Sequence, residues 1–312
     1  MKCLLIGSAS SLSLLALAKH PLADTPHHIR RISIGDDSGY SIKIDRRTRV
    51  RNGRKTLKAT TAQTQIDFVN NFNLEYVGPM FLGNKLKEVQ VVYDTGSDWL
   101  VVGNAEECVT CDSTPYDTSD VISFEPVEDS DMELTYGSAY VMGFVATDNV
   151  CSRENAKSCA NMEFLSATYV EGLDGIDGIA GMSTGLSEWS EGPRFIEELY
   201  NANKINAPVF GFYLAGPDEQ SYLDVGVIQK SAMRDPTEMV WIDVENESFW
   251  WEASITGIKI QSQTDPDAGV AYSIKSGSTA LTDTGSSCTY IPPQYYSTFA
   301  EAFMKATDSD VR

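Results

Sequence analysis

The sequence predicts an all-β fold made of two related lobes, on three observations. From Phe72 onward, short apolar or alternating runs follow one another: "EYVGPMFLG", "EVQVVYD", "WLVVG", "MELTYGSAYVMGFVATDNV", "PVFGFYL", "SITGIKI". Gly, Pro, Asn and Asp separate them, as expected of strands joined by tight turns. Helix signals are sparse. "GPRFIEELYNAN" sets Phe195, Ile196 and Leu199 on one face after Pro193, and "IPPQYYSTFAEAFMKA" does the same with Tyr295, Phe299 and Phe303 after two prolines. Finally, Asp-Thr-Gly-Ser occurs twice, at Asp94 and Asp283, 189 residues apart. That repeat suggests one carboxylate from each lobe.

The chain has 312 residues and 42% hydrophobic content, enough for a substantial core and too apolar for a disordered protein. It begins with Lys2, an apolar run from Cys3 to Leu17 and an Ala16-Leu17-Ala18 exit. Residues 1–18 have the form of a secretory signal, with an N-terminal anchor as the competing reading. The run is short for a stable membrane span, and no later run is long enough. Next comes a polar, basic arm. Residues 19–65 hold 11 Lys and Arg against 4 Asp and Glu, with Arg46, Arg47, Arg49 and Arg51 the densest cluster. Residues 66–312 hold 12 against 40, so most of the net charge of -20 sits on the body. A basic arm on an acidic body suggests contact within the chain and argues against nucleic-acid binding; a solvated linker is the alternative.

Each Asp-Thr-Gly-Ser element lies between apolar runs. Gly96 and Gly285 allow a sharp turn and close approach of a backbone amide. The hydroxyls of Thr95, Ser97, Thr284 and Ser286 can hold the turn and hydrogen-bond the carboxylate. If the two turns meet, Asp94 and Asp283 cannot both ionise at close range, and one proton is shared. Such a pair can hold a water, deprotonate it and protonate a substrate oxygen. Two buried Asp residues that merely cap turns are the bland alternative.

In these motifs the sequence resembles the pepsin-like aspartic proteases, from about Asn73 to the end of the chain. "VVYDTGS" and "ALTDTGSSCTYIP" resemble the two catalytic turns, "LEYVGPMFLG" the opening strand, and "LTYGSAYVMG" the flap hairpin. "GIDGIAGM" resembles the strand that supports the first turn, and "WIDVENESFWWEASITGIKI" the lead into the second lobe. The resemblance implies a bilobal acid protease fold with Asp94 and Asp283 as the catalytic pair. Thr95 and Thr284 would hold the turns together, and Ser97 and Ser286 would orient the carboxylates. Tyr136, Gly137 and Ser138 would close over the substrate backbone. It also implies a propeptide over residues 19–70, a first lobe over 71–238 and a second over 239–312. Three features depart from the family pattern. Trp99 comes early, with Leu100 or Val101 nearer the usual place of the tryptophan that bonds the flap tyrosine. Ala139-Tyr140 stands where the flap usually has small residues. After Asp283 only 29 residues follow, with no second apolar-apolar-Gly element, so a truncated second lobe is expected.

Six cysteines are present. In an exported chain, Cys108-x-x-Cys111 reads as a small-loop disulfide, with a redox or half-zinc site as the alternative. Cys151 and Cys159 bracket a turn-like loop and read as a second bridge. Cys288 is either free and buried or paired beyond the chain's end. Only His20, His27 and His28 occur, all in the basic arm, which removes Ser-His-Asp and Cys-His mechanisms. The glycines of "GIDGIAG" lack phosphate-loop spacing, and "VEGLDGIDGIAG" is not a calcium-loop pattern. No metal and no cofactor is implied. Asn246 heads the one glycosylation sequon. The expectation is therefore a monomeric aspartic endopeptidase zymogen of the secretory pathway, secreted or lysosomal/vacuolar, acting on polypeptides at acidic pH and held by its own propeptide. An inactive pepsin-like fragment or binding pseudoprotease is the alternative.

Overall fold

A computed structural model describes residues 3–4, 12–17, 40–48, 74–113, 115–185, 191–214, 221–227, 241–245, 248–260 and 270–307. Its centre is the strand Lys87–Asp94, which pairs antiparallel with Leu74–Leu82 and parallel with Gly178–Gly181. Alternation sorts its side chains. Val89, Val91 and Tyr93 enter the main core, while Val92 turns the other way, onto Val77 and Ile176. Leu100–Gly103 flanks Gly178–Gly181 on the other side and is buried throughout. Leu100 and Val102 join the main core; Val101 joins a second cluster with Trp99, Val141, Leu165 and Ile179.

The sheet continues through Cys159–Glu171 and Tyr140–Cys151 to an edge strand, Glu125–Thr135. That edge is mostly exposed and rich in acidic residues, which discourages pairing with another chain. In the other direction Leu74–Leu82 is followed by Tyr40–Thr48, Ser221–Val225, Val209–Leu214 and finally Leu12–Leu17, eleven strands among the described residues. An extra pairing of Leu74–Leu82 with Tyr140–Cys151 folds the sheet back on itself.

The basic arm thus contributes a strand that its composition hides. Ile42 and Ile44 alternate with Lys43 and sink into the main core, and Arg46 and Arg47 stand in register with Tyr76 and Glu75. Leu12–Leu17, inside the segment with the form of an export signal, lies antiparallel to Val209–Leu214.

Both sequence-derived helices are present. Phe195–Asn201 buries Phe195, Ile196 and Leu199. Pro293–Thr307 buries Phe299 against Ile291, with Tyr295 and Phe303 packed partly on the same cluster. Among the described residues beyond 250, Glu252–Ile260 pairs with Val270–Leu281 in a hairpin whose described side chains are exposed or half-buried. Among the described residues no helix is long and apolar enough to cross a membrane.

Candidate active site

Asp94 ends its strand with its carbonyl accepting from Met182 N at 2.8 Å, and Gly181 lies beside it in parallel register. A Cβ on Gly181 would strike the backbone of Asp98, so only glycine lets the supporting strand come this close. Asp283 follows Val270–Leu281. No strand among the described residues lies beside it as Gly178–Gly181 lies beside Asp94.

The two turns carry the same internal bonds. Gly96 N donates to Asp94 Oδ1 at 2.8 Å and Ser97 Oγ to Asp94 Oδ2 at 2.5 Å. Gly285 N donates to Asp283 Oδ1 at 2.9 Å and Ser286 Oγ to Asp283 Oδ2 at 2.7 Å. The threonines cross-link them. Thr95 N donates to Thr284 Oγ1 at 3.0 Å and Thr284 N to Thr95 Oγ1 at 2.9 Å. Each hydroxyl then donates onward, Thr95 Oγ1 to Thr282 O at 2.8 Å and Thr284 Oγ1 to Tyr93 O at 2.6 Å.

This cross-link brings the carboxylates together. A Cβ on Gly96 would lie 2.8 Å from Asp283 Cγ, and one on Gly285 would clash with Asp94 Oδ1. Burial pushes the Asp94 carboxyl up to about 7, and the charge of Asp283 adds to it. The bonds from Ser97 and Gly96 oppose that rise without cancelling it. A proton is therefore held on Asp94 at mildly acidic pH.

Tyr136, Gly137 and Ser138 form the tip of the hairpin between Glu125–Thr135 and Tyr140–Cys151, closed by Tyr136 N donating to Ala139 O at 2.8 Å. Gly137 and Ser138 are exposed, and the Tyr136 ring packs against the Trp99 cluster. Burial, with the charges of Asp94 and Asp98, pushes the Tyr136 hydroxyl far above the ordinary tyrosine range. Its oxygen is buried and has no hydrogen-bond partner among the described residues. The early Trp99 shares its cluster and gives it no bond. Ala139 is buried, while Tyr140 points outward and donates to Glu133 Oε2 at 2.5 Å.

Disulfides join Cys108 to Cys111 and Cys151 to Cys159. Cys288 is also disulfide-bonded within this chain and only partly buried, so neither a free, buried thiol nor a partner beyond the chain's end holds. Asn246 lies outside the described residues. No group of three or more His, Cys, Asp or Glu residues among those described is arranged to hold a metal ion.

Sequence reasoning missed three contributors. Asp98 accepts from Glu191 N and Gly192 N, both at 2.9 Å, drawing the start of the Phe195–Asn201 helix onto the first turn. Trp251 Nε1 donates to Met182 O at 2.7 Å, and Trp250 Nε1 to Gly96 O at 3.1 Å. The adjacent tryptophans were the available signal, since two indole N–H groups side by side need two acceptors.

Residues 75–311 match the eukaryotic aspartyl protease family. The chain is 28% identical over 235 residues to pregnancy-associated glycoprotein 2 of Bos taurus, covering 72% of this chain and 57% of that protein. It is 26% identical over 228 residues to pepsin A of Sus scrofa, covering 70% and 55%. Pepsin-3 of Oryctolagus cuniculus is 24% identical over 220 residues, covering 68% and 55%. The chain thus spans little more than half the length of these relatives. A repeated Asp turn on an all-β, pepsin-like sheet and a match over most of the sequence lead to one conclusion: this chain belongs to the eukaryotic aspartyl proteases.

Proposed function

We propose that the chain is an aspartic endopeptidase that hydrolyses peptide bonds at acidic pH, with Asp94 and Asp283 as its catalytic pair. The observation that carries the reading is the reciprocal Thr95–Thr284 cross-link, which sets each carboxylate against the opposite turn's glycine. Water held between the carboxylates gives a proton to Asp283 as its oxygen attacks the scissile carbonyl carbon. Asp94 donates its proton to the carbonyl oxygen, giving a tetrahedral diol. The C–N bond then breaks. The departing nitrogen takes the proton held at Asp283, and Asp94 regains a diol proton as the carbonyl re-forms. Tyr136, with Gly137 and Ser138, closes over the bound peptide.

Residues 1–18 act as an export signal and residues 19–70 as a propeptide, which places the monomeric precursor in the secretory pathway. The position of Tyr40–Thr48 between Ser221–Val225 and Leu74–Leu82 supports a propeptide built into the sheet. Acid protonates the body's carboxylates while Lys and Arg keep their charge, so the arm's attraction weakens as pH falls.

The test is hydrolysis of denatured protein at acidic pH by the chain and by Asp94→Ala and Asp283→Ala, with N-terminal sequencing of the acid-treated precursor. Expected are loss of activity in both variants by on the order of 10³-fold and a new N-terminus near residues 60–75. Hydrolysis retained in either variant would refute the pair. A folded but inert wild-type chain would mean a binding pseudoprotease or an inactive fragment.

A further inference from the structure

The two Asp turns are identical through Asp-Thr-Gly-Ser and diverge at the next residue, which is Asp98 after the first and Ser287 after the second. Asp98 takes no part in the hydrolytic steps above, yet it is buried and its carboxylate is bound twice over. Its Oδ2 accepts from Glu191 N and from Gly192 N, both at 2.9 Å. Amides that donate to an ionised carboxylate make stronger bonds than they do to a neutral acceptor.

The backbone around Asp98 has supports of its own. Ser183 N donates to Ser97 O at 2.9 Å and Gly181 N to Trp99 O at 3.0 Å, so the residues on either side of Asp98 are both held. A Cβ on Gly192 would lie 2.9 Å from Trp99 Cγ, which sets residue 192 against the Trp99 ring as well. The end of the first turn is thus clamped between residues 181–183 and residues 191–192, and the Asp98 carboxylate makes the second half of the clamp.

Ser97 links this clamp to the carboxylate pair. Its Oγ donates to Asp94 Oδ2 at 2.5 Å and favours the ionised form of Asp94, against burial and the charge of Asp283. Where that hydroxyl points depends on where the Ser97 backbone stands, and the next residue along that backbone is Asp98. Asp283 on the second turn and Tyr136 at its hairpin tip are titratable groups that face Asp94, and Tyr136 also feels the charge of Asp98. The supporting strand Gly178–Gly181 carries none.

We propose that Asp98 is a positioning residue for the Asp pair. By gripping the amides of Glu191 and Gly192 it fixes the end of the first turn and keeps Ser97 Oγ on Asp94 Oδ2. The inference rests on the peptidase reading and deepens it. The competing role is a tie between the sheet and the start of the Phe195–Asn201 helix, felt as stability alone.

Kinetics across pH separate these roles. Asp98→Ala removes both bonds. Its kcat falls about tenfold to a hundredfold, the scale of an ångström's misplacement, with KM little changed. The high-pH limb of kcat/KM moves to higher pH, because Asp94 has lost a bond that favours its ionised form. Asp98→Asn keeps a neutral acceptor and shows the same signs at smaller size, so it carries the test if Asp98→Ala does not fold. Adding an Asp98 substitution to Ser97→Ala changes neither kcat nor the limb further, since the hydroxyl to be positioned is gone. A tie lowers the melting temperature and leaves kcat and the limb where they were. A role for the charge of Asp98 alone moves the limb to lower pH in both variants. Either of these results, or full additivity with Ser97→Ala, overturns the positioning role and leaves the peptidase reading standing. The Asp94 carboxyl carbon, followed by NMR, gives a reading that needs no substrate: it titrates at higher pH in Asp98→Asn than in the unaltered chain, and an unmoved titration overturns the proposal. A folded wild-type chain that cleaves no peptide overturns the peptidase reading, and that titration then decides the hold of Asp98 on Asp94 by itself.

Discussion

Asp94 and Asp283 sit in turns of identical sequence and near-identical internal bonding, on unlike foundations. Asp94 is wedged between the supporting strand Gly178–Gly181 and two core clusters, and is only 7% exposed. Asp283 follows a hairpin whose described side chains are exposed or half-buried, and is itself only partly buried. A tetrapeptide can specify how a carboxylate is bonded within its own turn. It cannot specify how far that carboxylate is removed from water, which depends on what packs behind it. That burial is the main cause of the raised Asp94 carboxyl.

The largest expected effect follows from that asymmetry. The Asp94 carboxyl is raised from 3.8 to about 7, so the folded state binds its proton more tightly than the unfolded chain does. The associated stability is fully present below pH 4 and is lost as pH rises through about 7, a change of several kcal/mol. Melting temperatures measured from pH 4 to 8 should fall along this window. Asp94→Asn should flatten the fall. Asp283→Asn should only reduce it, because burial, the larger cause, remains. An equal effect of the two substitutions would erase the contrast.

Gly181→Ala attacks the foundation of one turn alone. Its Cβ would meet the Asp98 backbone, which cannot move without dragging the first Asp turn. A loss of about 3 kcal/mol or more in denaturant unfolding is expected, within the range for strain at a special backbone site. The threonine bonds are shared, so they should cost both turns alike. Thr95→Val and Thr284→Val each strand a backbone N–H, at about 1–3 kcal/mol. Peptidase activity should fall in both, as the carboxylates lose their mutual position. Smallest is Leu281→Ala. This side chain is 46% exposed, beside Thr282 at the end of the strand Val270–Leu281. Its loss should stay within about 0.5–1 kcal/mol, against about 2–5 kcal/mol for Leu100→Ala in the buried strand after the first turn. Equal costs at the two positions would show the second turn to be as well supported as the first.

Much of this molecule was written in short stretches of sequence. Period-two alternation placed Val89, Val91 and Tyr93 on one face of a strand and Val92 on the other. The spacing of Phe195, Ile196 and Leu199 set a helix face. Cys108 and Cys111 were close enough to pair through their loop alone, as were Cys151 and Cys159. These outcomes depend on neighbours a few residues away, and local backbone geometry suffices for them. The strand Tyr40–Thr48 was legible only as charge, because its two isoleucines acquire meaning once a sheet edge is there to receive them. The separate environments of Asp94 and Asp283, the Asp98 carboxylate on the amides of Glu191 and Gly192, and the indole of Trp250 on Gly96 O were decided by the tertiary structure. Each requires segments tens to hundreds of residues apart to meet within hydrogen-bond distance. Burial and close approach are properties of that meeting, and no local pattern encodes them.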